Sequence, residues 1–269
     1  MSTSPPGIAG VFDRAAETYD AVGVPWFGPI AAGLVEALDV QPGERVLDIG
    51  CGRGAALVPF AHATGPTGSV LGIDLAPGMV ARTTADVAHL PHVEVRVDDA
   101  SAPDLPVAAY DVVACCLVLF FLPDPLAAVR AWLPALAPGG RVGVTTFGEQ
   151  DPRWKVVDGV FTPYLPKTML DARTSGTKGP FASDEGVEGL LRDAGLVDVR
   201  TVRREVVTEF ADPEHWIRFT WSHGQRAMWE AVPEAEHDAV RAEIVRRLEE
   251  LGRPIRLTQG VRHTLGRRP

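Results

Sequence analysis

One short stretch constrains the fold of this chain more than any other: residues 44–54, with the sequence E-R-V-L-D-I-G-C-G-R-G. A run with strand character leads into three closely spaced glycines, Gly50, Gly52 and Gly54, and a helix is predicted from Ala55. Glycines in such a turn let backbone N–H groups at a helix start approach a ligand without an intervening Cβ. The stretch therefore predicts an α/β fold that binds a nucleotide-like cofactor at the end of its first strand.

The glycines alone do not tell a dinucleotide such as NAD from another nucleoside cofactor, and Asp48 is the residue that separates these possibilities. Gly50, Gly52 and Ala55 also fit the dinucleotide-binding pattern G-x-G-x-x-G/A. A carboxylate two residues before the first glycine would repel a pyrophosphate, but it would attract a ligand that carries an ammonium and a sulfonium group. The segment V-L-D-I-G-C-G-R-G resembles motif I of the class I S-adenosylmethionine (SAM)-dependent methyltransferases, in particular the small-molecule type 11 group of ubiquinone and menaquinone methylases. The resemblance implies SAM as cofactor, held by Asp48, Gly50, Cys51 and Gly52.

A second acidic residue, Asp74, stands at the end of the second predicted strand, residues 69–73. A carboxylate at this point can accept hydrogen bonds from both ribose hydroxyls of a nucleoside. The segment G-I-D-L-A-P-G-M-V resembles the second motif of the family, which implies Asp74 as the ribose ligand and Leu75 beside the adenine. The alternative is that Asp74 caps the helix predicted from Pro77.

The third predicted strand, residues 93–97, leads into D-D-A-S-A-P-D-L-P. This segment resembles the family's G-D-A-x-x-L-P, in which the acid and the following backbone N–H bind the adenine edge. The resemblance implies Asp99 as that acid and Ala100 as that amide. Asp98 replaces the usual glycine, so the choice between the two aspartates stays open.

The fourth strand and its exit are predicted over residues 110–122, a nearly continuous apolar run that suits a strand covered on both faces. The resemblance implies that the backbone at Cys115 and Cys116 holds the methionine end of the cofactor. Relatives often have a histidine where Phe120 or Phe121 stands, so no general base is expected there. The two phenylalanines either line an apolar pocket or belong to the core.

Strand and helix alternate after the glycine loop, which is typical of a parallel sheet with right-handed crossovers. Further elements are a helix over 124–136, a strand over 141–147, a helix over 183–194 and a strand over 197–207. Residues 261–266 are predicted to be the last strand, and the resemblance implies that it is inserted antiparallel. We therefore expect an α/β fold with a doubly wound, mostly parallel seven-stranded sheet, Rossmann-like, and helical cap elements.

A single methyltransferase domain is expected. Its parts are an N-terminal helical cap (1–39), the SAM-binding core (40–147), a cap or lid segment (148–182), a core helix and strand (183–207), a helical substrate insert (208–255) and the last strand (256–269). Helices are predicted over 12–19 and 29–38. Tyr19, followed by Asp20, resembles a pair that lies over the cofactor in many members of the family, and packing of Tyr19 in the core is the alternative.

The substrate must be selected by the segments outside the alternating pattern. They contain four of the six tryptophans, Trp154, Trp216, Trp221 and Trp229, and large rigid aromatic side chains suit a flat or apolar small molecule. In the insert, Asp212 is expected as an N-cap followed by Pro213. A further helix over 233–251 is expected to pack structurally.

Trp216, Phe219 and His223 share one helix face by their spacing, and together with Tyr164 they are the candidate substrate residues. His223 is the candidate catalytic base, because a histidine can take a proton from an attacking hydroxyl or nitrogen. The alternative is a cap histidine bonded to the backbone. His215 and His263 are weaker candidates, and Asp171 and Glu209 stay open.

Charge and composition exclude several classes of protein. A net charge of −9 argues against a large nucleic-acid interface, which needs a basic surface. No apolar run reaches the length of a membrane span, and residues 1–10 lack the features of a signal peptide. Cys51, Cys115 and Cys116 form no metal-binding spacing, so we expect no metal and a reducing cytoplasm. A monomer or homodimer is expected.

The predicted function is in-line transfer of the sulfonium methyl group to a small, aromatic or apolar metabolite, with orientation and exclusion of water as the main tasks of the protein. One alternative is a protein with the same fold that binds SAM but transfers no methyl group, such as a SAM-dependent cyclase or a non-catalytic binding protein. Another alternative is an NAD(P)-dependent oxidoreductase, since Tyr164 and Lys167 have the spacing Y-x-x-K. It is less favoured, because both residues lie outside the cofactor half. A protein or RNA methyltransferase is disfavoured by the acidic charge.

Overall fold

The computed structural model of the chain describes residues 7–166 and 177–269. The strands are β1 (Arg45–Ile49), β2 (Ser69–Asp74), β3 (Val93–Val97), β4 (Tyr110–Cys116), β5 (Leu136–Gln150), β6 (Val197–Phe210) and β7 (Ile255–Arg267). The described residues form one seven-stranded sheet with the order β3-β2-β1-β4-β5-β7-β6. β1 to β5 pair in parallel, and β7 runs antiparallel between β5 and β6. The predicted fold class and the antiparallel last strand are confirmed.

Helices cover both faces of this sheet and its carboxyl edge. In the described ranges they are α1 (Gly7–Ala15), α2 (Phe27–Leu38), α3 (Leu57–Thr64), α4 (Pro77–Asp86), α5 (Pro125–Trp132), α6 (Pro152–Asp158), α7 (Asp184–Asp193), α8 (Pro213–Trp221), α9 (Arg226–Glu230) and α10 (His237–Glu250). None of these helices is long and apolar enough to cross a lipid bilayer.

The centre of the sheet is covered on both sides. In β4, Val113 belongs to the core on one face of the sheet and Val112 to the core on the other. Continuous burial of this kind is what an apolar run without alternation predicts for a parallel strand. The strand ends at Cys116, and the chain turns at Leu117, whose φ of 58° is left-handed, into a short 3-10 turn (Leu119–Phe121).

The first helix lies earlier in the chain than predicted. Residues 12–19 were expected to be helical, but the helix is Gly7–Ala15 and the following residues turn. Arg53 donates a hydrogen bond to the Ala16 carbonyl at 2.5 Å, which occupies an oxygen that a longer helix would use. Asp20 then takes a left-handed φ of 55°, and the chain leaves the helix axis.

The insert between β6 and β7 consists of α8, α9 and α10. Asp212 caps α8, because its carboxylate accepts a hydrogen bond from the His215 N–H at 2.7 Å, and Pro213 follows at the first helical position. The helix predicted over 233–251 is α10, and it buries one side formed by Val240, Ile244 and Leu248. The last three strands also extend past the lengths predicted for them, which carries the sheet beneath the cap.

Candidate active site

The glycine loop turns sharply at the carboxyl end of β1. Gly50, Gly52 and Gly54 have φ values of 70°, 50° and 83°, a region that residues with a Cβ rarely adopt. A Cβ on Gly50 would lie 2.4 Å from Val118, whereas a Cβ on Gly52 would meet no atom within 4 Å. Gly50 is therefore required by packing, and Gly52 keeps open the side of the loop that borders a large cavity.

This cavity has a volume of about 2080 Å³ and lies between the carboxyl edge of the sheet, α1 and the cap helices. A single small ligand typically needs roughly 300–1,000 Å³. The space therefore suits a cofactor together with a second molecule. Residues predicted from the sequence that line it are Tyr19, Asp48, Gly50, Cys51, Gly52, Asp74, Leu75, Asp98, Asp99, Ala100, Cys116, Tyr164, Phe219 and His223.

Asp48 is the least compensated polar group of the cavity wall. Its side chain is 1% exposed, and neither carboxylate oxygen makes a hydrogen bond of regular geometry. Burial raises the pKa of Asp48 to about 7, the Asp74 carboxylate adds to this, and the nearby Leu57 amide acts in the opposite direction. A buried carboxylate without a partner is costly unless a cation or donor meets it, so the residues fit a positively charged ligand group here.

Asp74 is buried as well, but its carboxylate has partners. One oxygen accepts a hydrogen bond from the Gly52 N–H at 2.9 Å and the other from the Ala76 N–H at 2.9 Å. Burial raises the pKa of Asp74 in spite of these donors. Asp74 was alternatively predicted to be the N-cap of α4, but the N-cap residue of this helix is Ala76, so that alternative is wrong. Each carboxylate oxygen keeps a lone pair for a further donor, such as a ribose hydroxyl.

The two neighbouring aspartates differ in what they bind. Asp98 accepts hydrogen bonds from Arg96 at 2.9 Å and from the Asp99 N–H at 2.8 Å. Asp99 is more exposed, and its carboxylate accepts from the Ser101 N–H at 2.8 Å. The Trp132 indole N–H donates to the Ala100 carbonyl at 2.8 Å, which anchors the turn. Because Asp98 is engaged by an arginine, this arrangement favours Asp99 as the residue that faces a ligand.

Leu75 and Tyr19 border the same space. Leu75 is 47% exposed, which is unusual for a leucine directly after a buried strand. Tyr19 stacks on Phe27 with ring centroids 4.5 Å apart. Burial raises the pKa of the Tyr19 hydroxyl well above its usual value, and the carboxylate of Asp20 adds to this. Tyr19 thus both packs against a neighbouring ring and lines the cavity.

At the end of β4 only part of the predicted segment reaches the cavity. Cys116 lines it, whereas Cys115 is fully buried in the core of the sheet. Phe120 and Phe121 line the cavity too, and they pack on each other with centroids 4.6 Å apart. Phe120 also belongs to the main hydrophobic core, so it both lines the cavity and packs in the core.

The cap contributes aromatic side chains to the cavity wall, beside polar ones such as Lys155 and Glu230. Phe219 and Trp154 line the cavity, and Tyr164 at its rim donates its hydroxyl proton to Glu236 at 2.7 Å. The structure does not bring Trp216 to this wall. Its side chain is 0% exposed and belongs to the main hydrophobic core. Helical periodicity places Trp216 on one face with Phe219 and His223, but it does not tell which residues of that face border a cavity.

His223 lies on the cavity wall, two residues beyond the end of α8. Its Nδ1 accepts a hydrogen bond from the Gln225 N–H at 3.3 Å, so the neutral ring carries its proton on Nε2. Burial lowers the pKa of His223 to about 3, and Nε2 is buried without a partner. Nδ1 is occupied by a backbone N–H, which matches the backbone-bonded alternative. The role of His223 as the base stays a prediction.

The weaker candidates are engaged elsewhere. His215 hydrogen-bonds the Val22 carbonyl at 2.9 Å, and His263 hydrogen-bonds Thr145 at 2.9 Å inside the sheet. Glu209 forms an ion pair with Arg256 at 2.6 Å. Lys167 and Asp171 lie outside the described residues. Within 7–166 and 177–269, no group of three or more histidine, cysteine or acidic side chains is arranged to hold a metal ion.

Two polar residues of the wall were missed by the sequence analysis. Asp158 at the end of α6 and Gln225 before α9 both line the cavity, and the Gln225 amide donates to the Asp158 carboxylate at 3.1 and 3.2 Å. They come from segments 67 residues apart. No motif marks either residue, so only the packing of α6 on the cap joins them.

Comparison with known proteins gives consistent matches. The sequence profile of a family described as a methyltransferase domain matches residues 46–140. Nocamycin O-methyltransferase of Saccharothrix syringae is 37% identical over 96% of this chain and 97% of its own length. Aklanonic acid methyltransferase DauC of Streptomyces sp. (strain C5) is 38% identical over 61% of this chain and 76% of its own.

Among solved structures, phosphoethanolamine N-methyltransferase 2 of Haemonchus contortus, in complex with phosphomonomethylethanolamine and S-adenosylhomocysteine, matches with a TM-score of 0.58. The match covers 98% of this chain and 61% of the other, at 16% identity. At that identity the likeness shows a shared fold alone.

Proposed function

Because this chain belongs to the class I SAM-dependent methyltransferases, we propose that it transfers the methyl group of SAM to an oxygen atom of a small, largely aromatic or apolar metabolite. Family membership sets aside the oxidoreductase alternative. The identity of the acceptor atom and the kind of substrate are the parts that we infer.

The observation that carries the proposal is the uncompensated charge of Asp48 in a cavity large enough for two molecules. SAM, when bound, supplies a methyl group on a positively charged sulfur, together with an ammonium group. Asp48 would hold that positive charge at the end of β1, and the side chain of Asp74 would accept from the ribose hydroxyls. Asp99 and the amide of Ala100 would bind the adenine edge, beside Leu75.

Further cofactor contacts follow from the walls of the same space. Gly50, Cys51 and Gly52 would offer backbone groups where the glycine loop borders the cavity. The backbone from Cys115 to Cys116 would hold the methionine end, with Cys116 the nearer of the two. Tyr19 on its turn after α1 would cover the cofactor and exclude water.

An oxygen acceptor is supported by the relative that is similar over its whole length, because its name describes an O-methyltransferase. The second relative is named for an acid, aklanonic acid. The rings of Phe120, Phe121 and Phe219 would pack against the apolar body of such a molecule.

The chemistry of the wall favours an acidic oxygen. Nδ1 of His223 accepts from the Gln225 N–H and the Tyr164 hydroxyl donates to Glu236, so we infer that neither side chain takes a proton from the substrate. A carboxylic acid or acidic enol is ionised at neutral pH and attacks without losing a proton on the enzyme. The work left to the residues is to orient that anion in line with the methyl group and to keep water away.

A matched set of acceptors tests this proposal. Purified protein is incubated with methyl-labelled SAM and with naphthoic acid, naphthol or naphthylamine, which present the same rings with a different reacting atom. We expect label in the organic phase with naphthoic acid, and mild alkaline hydrolysis should release that label as methanol, as it does from a methyl ester. Naphthol is un-ionised at neutral pH, so we expect little label on it. Label on naphthylamine alone would refute the oxygen acceptor.

The same assay separates methylation from the cyclase alternative. A protein that binds SAM but transfers label to none of these acceptors, nor to larger polycyclic acids, would contradict methyl transfer. The Asp48→Asn variant serves as control, since it should lose cofactor binding and labelling together. A cytoplasmic location and a monomeric or homodimeric state stay predictions, in keeping with the three free cysteines.

A further inference from the structure

The polar pair formed by Gln225 and Asp158 lies on the cap side of the cavity wall. Asp158 is 6% exposed at the end of α6 and lines the cavity, and it makes further contacts besides this one. Gln225 is partly buried in the turn between α8 and α9. Its side-chain nitrogen donates to both carboxylate oxygens of Asp158. Phe219 and Met228 border the same part of the wall.

This contact determines which way the Gln225 amide faces. A carboxylate only accepts hydrogen bonds, so the nitrogen of the amide must be the atom turned toward Asp158. The amide oxygen, Oε1, is then turned away from Asp158 and remains an acceptor. The backbone N–H of Gln225 also donates to His223, which fixes the turn on which the side chain stands.

Gln225 reaches the cavity from the cap. It stands in the turn between α8 and α9, whereas the residues proposed to hold the cofactor lie at the carboxyl edge of the sheet. Two rings connect these walls, because Tyr19 stacks on Phe27, the Phe27 ring contacts the His223 ring with centroids 5.8 Å apart, and His223 accepts the hydrogen bond from the Gln225 N–H. A group that Gln225 recognises therefore belongs to a molecule that contacts the cap.

We propose that Gln225, oriented by Asp158, is a specificity-determining residue whose Oε1 accepts a hydrogen bond from a hydroxyl group of the acceptor substrate. This inference rests on the methyl-transfer function proposed above. An acceptor that the bound substrate shields from water is costly to leave without a donor, so a substrate with a hydroxyl is preferred to one without. Asp158 acts as a positioning residue, because it reaches the substrate only through the amide of Gln225.

Three related acids test the proposal by binding. They are naphthoic acid, its analogue with a hydroxyl on the far ring, and its analogue with a methoxy group at the same place. Their dissociation constants are measured by calorimetry with full-length protein saturated with S-adenosylhomocysteine. The wild type should bind the hydroxy acid about tenfold or more tighter than the methoxy acid, whose oxygen has no proton to donate.

Variants assign the preference to the pair. Gln225→Met keeps the side-chain length and should reduce the ratio of the two dissociation constants to about one. In Asp158→Asn, residue 158 can also donate a hydrogen bond, so the Gln225 amide can rotate and turn its NH2 group toward the substrate. The methoxy acid, whose oxygen only accepts, should then gain affinity relative to the hydroxy acid. Gln150→Met changes another glutamine of the cavity wall and should keep the wild-type ratio.

The outcomes separate this inference from the proposed function. Equal affinities for the hydroxy and methoxy acids in the wild type, a ratio unchanged in Gln225→Met, or no measurable binding of any of the three acids overturns the role of Gln225. Absence of label on every acid in the methylation assay counts against the proposed function, and it leaves the measured binding ratio unaffected. Unchanged affinity for S-adenosylhomocysteine in each variant confirms that the site is folded.

Discussion

Replacing Asp48 with asparagine removes one buried charge and keeps nearly the same side-chain volume. In the wild type the pKa of Asp48 is raised from 3.8 to about 7 by burial and by Asp74. A raised carboxyl pKa contributes stability that is fully present below pH 4 and is lost as pH rises through about 7. At roughly 1.4 kcal/mol for each pKa unit, the cofactor-free protein loses about 4 kcal/mol from this group.

The variant should therefore be the more stable protein above neutral pH. Asparagine carries no charge, although its amide must still be buried without partners, so we expect a net gain of about 2 to 4 kcal/mol at pH 8 and little gain at pH 5. Urea unfolding of the cofactor-free proteins at the two pH values measures this difference. Asp99→Asn is the matched control, because it makes the same substitution at an exposed carboxylate on the same cavity.

The same change should weaken cofactor binding. Losing a charged partner for the ammonium and sulfonium groups costs about 2 to 3 kcal/mol, or roughly 30- to 150-fold in affinity for SAM. In the wild type, SAM affinity should rise about tenfold from pH 6 to pH 8 as Asp48 ionises, and in the variant this rise should vanish. A variant that is less stable than wild type at pH 8, or that binds SAM as tightly, would refute the assignment of Asp48 as an unpaired charge.

Three other changes test the remaining contacts. Asp74→Ala should weaken SAM binding by about 1 to 3 kcal/mol in calorimetry, because it also releases the N–H of Gly52, and an unchanged affinity would contradict the role in ribose binding. His223→Gln should lower turnover through lost packing while the pH profile of kcat keeps its shape, and a profile that loses its acidic limb would restore His223 as a base. Glu230→Gln breaks the ion pair with Arg14 that ties α1 to α9, so amide exchange in α1 should quicken by a fewfold, and exchange equal to wild type would show that the pair does not hold the helix.

The residues proposed to hold the cofactor could be grouped from the sequence because they follow strands of one parallel sheet. Asp48, Asp74 and Asp99 are far apart in the chain, yet each comes at or just beyond the carboxyl end of a strand, and parallel strands bring these ends to one edge. The spacing within each motif is local, so it needs no knowledge of the tertiary packing. The exact start of a helix is harder to predict. Asp74 was considered as the N-cap of α4, but the N-cap is Ala76, and the backbone dihedral angles of single residues decide which of them it is.

The substrate wall could not be predicted in the same way. Trp216 and Phe219 share a helix face, but one faces the core and the other reaches the cavity, and this depends on how α8 is tilted against its neighbours. The tautomer of His223 depends on a single backbone N–H in the turn that follows. Contacts between distant segments of this kind have no periodic signature in the sequence.

Asp48 and Asp74 share one kind of environment, although we propose different roles for them. Both carboxylates are buried at the same edge of the sheet, and each would ionise less readily than in water. Asp74 receives two backbone N–H groups, so its charge is largely met by the protein and its remaining lone pairs select hydroxyl donors. Asp48 receives no regular hydrogen bond, so in the ligand-free protein it avoids an unpaired charge only by binding a proton. This unequal supply of donors fits the proposed ligand, which has hydroxyls on one side and positive charge on the other.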